Sequence, residues 1–298
     1  MAIFHLAVKV HARSTGASAV AAAAYRSQER LVDERTGETH DYSRRGDVDS
    51  ADIHVPANAP EWARDRSQLW NAVEASERRK DAQVAREVVV ALPVELSGQQ
   101  RRDLVRGFVA QEFTGRGMVA DVAYHDGGGE NPHAHILLTT RKIGPDGFGA
   151  KDRTWNDREK VRTWREQWAV QTNRALEHAG RSEWVDHRSL QARRVAALER
   201  GDTATAARFD RAPNVHLGAA AWKAIREQEP NERTDAAAAV AQDNRDVAEV
   251  RSLGRQLQEI EAAIRERIQE LTRRVLDRVR ESIERARKPP TPGWEHSR

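Results

Sequence analysis

Val119-Ala-Asp-Val-Ala-Tyr-His125-Asp-Gly-Gly-Gly-Glu-Asn-Pro-His133-Ala-His135-Ile-Leu-Leu-Thr-Thr-Arg141 consists of two β-rich runs around a glycine-rich turn. Side chains alternate along a strand, so His133, His135, Leu137 and Thr139 share one face of the second run. Ala134, Ile136 and Leu138 take the other. In the first run His125 shares its face with Ala123 and Asp121, opposite Tyr124, Val122 and Met118. Pairing the runs as a hairpin through Asp126 to Pro132 gives an apolar face that can take helices and a second face that gathers three imidazoles. A lone strand histidine is ordinarily a surface or core residue. Three that converge have little packing value, which makes His125, His133 and His135 candidate metal ligands.

Outward from the hairpin, residues 2–11 alternate as a half-buried strand. Phe4, Leu6, Val8 and Val10 form its apolar side, and His5, Ala7, Lys9 and His11 the side that could lie beside the histidines. Ser18 is a fair cap for an alanine-rich helix expected from Ala19 to about Val32, which carries Tyr25 and Arg26 as its first large side chains. A short hairpin or loop follows at Glu38 to Ser43, then an extended piece from Val48 to Val55. A helix is expected from Glu61 to about Ala82, its tryptophans Trp62 and Trp70 being packing residues. Glu87 opens a β-branched run closed by Pro93, where an acid is either a simple strand-end charge or part of a site. Ser97 and Gln100 form a capping-box signature for a helix to Phe113. A further helix, capped by Asn156 or Asp157, should run to about Ala179 and stop at Gly180. These elements make an α+β domain: a central antiparallel sheet with helices on one face.

From about residue 219 the composition changes to alanine, glutamine, glutamate and arginine. Apolar residues from Val250 to Ile283 recur at steps of three and four, the pattern of one long amphipathic helix of coiled-coil type. Self-association through it and folding back on the domain are both consistent with that pattern.

The whole chain has 298 residues, 39% hydrophobic and 32% charged, which suits one ordinary domain with an appendage. It has no cysteine, so disulfides and thiolate ligands are excluded. No run reaches transmembrane length, and no membrane insertion is expected. A net charge of +3 and a pI near 9.4, carried largely by arginine, permit nucleic-acid binding without requiring it. Lys9, Arg13, Arg26 and Arg141 are the candidate DNA contacts.

Three imidazoles around one ion can polarise a phosphoryl or carbonyl oxygen, or activate water. A neighbouring tyrosine could instead be the nucleophile, and suits a reaction whose covalent intermediate is kept for rejoining. On ligand softness the imidazoles favour Mn²⁺, Zn²⁺, Co²⁺ or Ni²⁺ over Mg²⁺.

At this point the chain resembles a known family, the MobA/MobL-type (MobQ-class) relaxases among the HUH endonucleases. The run from Phe4-His-Leu through Arg13-Ser, Gly16 and Ser18 to Ala24-Tyr25-Arg26-Ser27 resembles its nucleophile motif, and His125 to His135 its three-histidine motif with the same spacing. Glu87 to Pro93, Asp186-His-Arg-Ser-Leu190 and His216-Leu-Gly218 fall in the family's order. The resemblance covers about residues 1–218, taken as the relaxase domain, and leaves 219–298 as a helical extension.

It implies that Tyr25 attacks a scissile phosphate at an origin of transfer and stays joined to the 5′ phosphate. Mg²⁺ or Mn²⁺ would sit on His125, His133 and His135. Glu87 would be a base or a partner of the ligands; some relatives carry another acid two residues on, where this chain has Val89. The partners implied are single-stranded plasmid DNA, relaxosome accessory proteins and a type IV secretion coupling protein, in a bacterial cytoplasm and in transit with the DNA. The rival readings are a rolling-circle replication initiator, whose tyrosine follows its histidine motif, a three-histidine hydrolase that uses water, and a non-enzymatic DNA-binding scaffold built on the C-terminal helix.

Overall fold

The computed structural model of the chain describes residues 3–125, 128–129, 131–215, 217, 221, 224–225 and 227–287. His216 and Gly218 of the last family motif lie outside the described residues. The chain divides into two compact units, 1–187 and 188–298.

The first unit is built on a five-stranded antiparallel sheet. Its strands are β1 (Leu6–Ala12), β4 (Val48–His54), β5 (Gln83–Ala91), β6 (Ala120–His125) and β7 (His133–Leu138), in the order β1-β5-β7-β6-β4. β6 and β7 form the expected hairpin, with His125 opposite His133 and Ala123 opposite His135. β5 lies on the other side of β7 and sets Val89 opposite His135 and Glu87 opposite Leu137. β1 then places Lys9 opposite Glu87.

Alternation produces two different faces. Val88, Val90, Val122, Tyr124, Ala134, Ile136 and Leu138 point into one core with α3 (Gly98–Glu112) and α4 (Arg158–His178). There Phe108 stands edge-on to Phe113 and to Trp168, at 5.3 and 5.1 Å between ring centroids. The capping box of Ser97 and Gln100 starts α3, and Asp157 caps α4. Both follow from the sequence, as does the stop at Gly180, whose φ is +68°.

Helices over one face was the expectation, and α3 and α4 satisfy it. The opposite face is also covered in part. α1 (Ala19–Ser27) and α2 (Arg66–Ser76) pack there with Val84, Ala85, Val119 and Leu137 in a second core. α1 can lie flat on it because Ala19, Ala22, Ala23 and Ala24 are small and buried. The Ser18 hydroxyl accepts from the Ala21 amide and donates to Asp33, and the Ala19 amide donates to Glu74, so two of the free donors of the first turn are satisfied.

Two helices are shorter than their composition suggests. α1 ends at Ser27, not near Val32, because Gln28 adopts a left-handed conformation with φ of +56°. The chain then turns into the ladder of β2 (Arg30–Asp33) and β3 (Glu38–Asp41). The expected helix from Glu61 is a single 3-10 turn to Arg64, and α2 starts afresh after Asp65 caps it. β8 (Arg141–Gly144) and β9 (Gly147–Lys151) form a small separate hairpin.

The second unit contains α5 (Leu190–Glu199), capped by Ser189, α6 (Thr203–Phe209), and α7 (Glu232–Arg287), a single helix of 56 residues. Asn244 of α7 hydrogen-bonds Ala212, and Arg251 pairs with Asp210. No helix among the described residues is long and apolar enough to cross a membrane.

Candidate active site

The β6–β7 register brings the three imidazoles together on the face that α1 shares. Their ring centroids lie 5.3, 4.9 and 5.2 Å apart for His125–His133, His125–His135 and His133–His135. One nitrogen of each ring is held from behind. His133 Nδ1 donates to the Asn131 carbonyl at 2.8 Å, and His135 Nδ1 to Glu87 Oε1 at 2.6 Å. Because both acceptors lack a proton, these bonds fix the Nδ1–H tautomer and leave Nε2 with the lone pair. His125 hydrogen-bonds the Arg26 backbone, and its Nε2 is buried with no hydrogen-bond partner among the described residues. Burial, together with the adjacent His135 and His133, pushes its pKa down to about 4, so this ring is neutral at pH 7.

This donor set fits a cation. Three imidazoles bound to one tetrahedral ion at about 2.1 Å would have centroids about 5 Å apart. Among the described residues, however, no group of three such side chains already stands in metal-binding arrangement.

Glu87 is buried at the end of this network. Oε1 receives His135 Nδ1, Oε2 meets His11 Nε2 at 3.1 Å, and the Arg26 guanidinium binds both oxygens. Burial alone would raise its pKa, but the bonds from His11, His135 and Arg26 outweigh it and hold the carboxyl well below the usual range. A carboxylate so occupied is a poor proton acceptor and a good orienter of His135.

Tyr25 stands on the last turns of α1 with 42% of its surface exposed. Its ring meets Tyr42 edge-on at 5.2 Å, and the Arg45 guanidinium lies over it at 4.5 Å. A hydrogen bond with Tyr25 outweighs burial and holds the Arg45 pKa above its ordinary value. Tyr25, Arg45, Asp47, His125, His133 and His135 line one open cavity of about 590 Å³. The structure therefore brings the tyrosine and the three histidines to a single space.

The other expected contacts separate. Lys9 is exposed on β1. Arg26 is turned inward to Glu87, with 12% of its side chain exposed. Arg13 binds Glu74 and the Glu77 carbonyl, and Arg141 binds Glu77 and the Gly149 carbonyl. These two arginines serve internal ion pairs that fasten α2 and the small hairpin, which removes the ground for assigning them to DNA.

The sequence places His11 on the side toward the histidines without giving it a role, and does not single out Tyr42, Arg45 and Asp47. The signal for the last three was positional: Arg45-Gly46-Asp47 leads into β4, and β4 pairs with β6 beside His125. Gly46, with φ of +76°, makes the turn that aims this segment into the cavity.

Comparison with known proteins adds the relationship. The model of the MobA/MobL family matches residues 17–227. The mobilization protein MobL of Acidithiobacillus ferridurans is 36% identical over 66% of this chain and 60% of its own length. A probable mobilization protein MobA of Bifidobacterium longum is 30% identical over 99% of this chain and 56% of its own. A probable conjugal transfer protein TraA of Sinorhizobium fredii is 36% identical over 73% of this chain, but over only 21% of itself. A solved structure described as the molecular basis of vancomycin resistance transfer in Staphylococcus aureus superposes with a TM-score of 0.60 at 35% identity, covering 63% of this chain and all of that one. This chain thus spans between about a fifth and three fifths of the length of these three relatives. With a match over most of its length, from the tyrosine helix through the histidine hairpin and beyond, the chain belongs to the MobA/MobL family.

Proposed function

We propose that this chain is a mobilization relaxase, which nicks single-stranded DNA at an origin of transfer and later rejoins it. The observation that carries the reading is the shared cavity of Tyr25, His125, His133 and His135. The Tyr25 hydroxyl gives up its proton to solvent, and its Oη attacks the scissile phosphorus and forms a 5′-phosphotyrosine bond. The 3′ oxygen leaves and takes a proton, and the reverse step rejoins the strand.

Each protein group has a task in this scheme. Arg45 and Tyr42 hold the phenol at the cavity wall. His125, His133 and His135 would hold a divalent ion, Mn²⁺ or Mg²⁺ by the family resemblance, with Zn²⁺, Co²⁺ and Ni²⁺ also suited to imidazole, and a bound ion would neutralise charge on the non-bridging oxygens. Glu87 acts as a positioning residue for His135, with Arg26 keeping it ionised. Lys9, exposed on the adjoining strand, contacts the phosphate backbone. We assign this reaction to residues 1–218, with 219–298 as an extension that the chemistry does not use. Accessory proteins at the origin, a secretion coupling protein and a bacterial cytoplasmic setting complete the proposal.

The test is incubation with single-stranded oligonucleotides from the transfer origin of the host plasmid, plus Mn²⁺. A protein–DNA adduct that survives denaturation is expected, and Tyr25→Phe should abolish it. Cleavage without an adduct that persists in Tyr25→Phe would instead identify a hydrolase using water.

A further inference from the structure

The long helix α7 carries an apolar stripe that nothing among the described residues covers. Val250 is 67% exposed, Leu257 and Ile268 58% each, and Ile264 54%. At about 100° per residue these side chains fall within a band some 80° wide. The contacts of α7 within its own unit lie elsewhere on the helix. Asn244 and Arg251, which bind Ala212 and Asp210, sit about 140–160° around the helix from Ile264. The stripe is therefore left open by the packing of its own unit.

Its spacing is symmetric about Ile264. Ile260 and Ile268 lie four residues away on either side, Leu257 and Leu271 seven, and Leu253 and Val275 eleven. Two such helices running in opposite directions and crossing at Ile264 place an apolar layer against an apolar layer from Leu253 to Val275. The steps of eleven from Leu257 to Ile268 and on to Val279 match a repeat that keeps the seam facing a partner with little left-handed supercoiling.

Charge selects the direction. The 23 residues before Ile264, 241–263, carry five acidic and three basic side chains. The 23 after it, 265–287, carry five acidic and eight basic. One half is net negative and the other net positive, so a parallel pair sets like charge beside like along its whole length. An antiparallel pair sets the negative half of each helix beside the positive half of the other.

We propose that α7 is an interaction surface for a second copy of this chain, joined as an antiparallel helix pair centred on Ile264. The pairing is independent of the nicking chemistry and leaves a catalytic domain attached to each of the two helices.

The experiment uses the full chain. Light scattering at micromolar concentration should give twice the 33.5 kDa chain mass. Ile264→Asp combined with Ile268→Asp should raise the dissociation constant at least about a hundredfold, because it places carboxylates in the buried seam. Circular dichroism would verify that this variant remains helical, and Ile264→Ala serves as a milder second variant that should weaken the dimer less. Direction is read by cross-linking, which the lack of native cysteine makes clean. Chains with Val250→Cys and chains with Val279→Cys, mixed and oxidised, should form the mixed disulfide. Self-linked products of each chain alone would mean a parallel pair and overturn the proposal. So would a monomer at those concentrations, or a dimer that survives both aspartates.

Discussion

The two faces of the central sheet are written by the same strands and held by different forces. On the face toward α3 and α4, alternate residues of β5, β6 and β7 are apolar and buried, save Arg86, which hydrogen-bonds Asn156, and contact area does most of the work. On the face toward α1 and α2, the intervening residues include Glu87, Asp121, His125, His133 and His135. Three of these are fixed by a buried side-chain partner: Arg26 for Glu87, Glu87 for His135, and Arg66 and the Trp70 ring N–H for Asp121. One face tolerates exchange of one apolar shape for another. The other is a chain of pairings in which each member leaves a buried charge or donor exposed to loss when its neighbour is removed.

The sharpest way to separate the faces is at Tyr25. Tyr25→Phe should reduce covalent adduct by about 10⁴-fold or more, as expected for loss of a nucleophile. Because the hydroxyl is on an exposed side chain, urea denaturation should shift by no more than about 0.5 kcal/mol.

Phe108→Ala should do the reverse. It should cost about 3–5 kcal/mol in the same denaturation measurement, while adduct formed per folded molecule stays unchanged. A large specific loss of adduct there would mean that the faces are coupled.

Glu87→Gln tests the polar face from within. It keeps the shape but weakens the bonds to Arg26 and His135, and should cost about 1–3 kcal/mol together with weaker Mn²⁺ binding by calorimetry. It should also alter the acid limb of stability. The Glu87 carboxyl is held below its ordinary value, so it contributes stability in full above the unfolded-chain value of about 4.3. That contribution falls away as acid protonates the folded form, and the variant should lose less stability than the parent below about pH 4.3.

Arg45→Gln should have the smallest effect. A roughly tenfold slower adduct formation is expected, with unchanged metal affinity. An equal loss in metal affinity would place Arg45 in a different role from that of holding the phenol.

The hairpin was legible because period-two alternation and a glycine turn are local signals, and its register then fixed the mutual placement of three histidines. The role of Glu87 was half legible. Its position on a strand followed from its neighbours, but its burial against Arg26 depends on α1 docking across the sheet. β4 was read as extended yet not placed in the sheet, since Val48 to His54 lacks clean alternation and its partner, β6, is about 70 residues away. The end of α1 was missed for a related reason. Gln28 takes a left-handed turn without the glycine that usually announces one, held by its position ahead of the β2–β3 ladder.

The alanines of α1 have a further consequence, one of thickness. Ala22, Ala23 and Ala24, beside Tyr25 on the helix, are all buried, so only methyl groups separate that turn from its packing neighbours. They act as a shim, and the depth of that shim sets how far the phenol stands from the imidazoles. Exchanging one of them for valine adds two methyl groups beneath the helix and lifts the nucleophile without touching any reacting group.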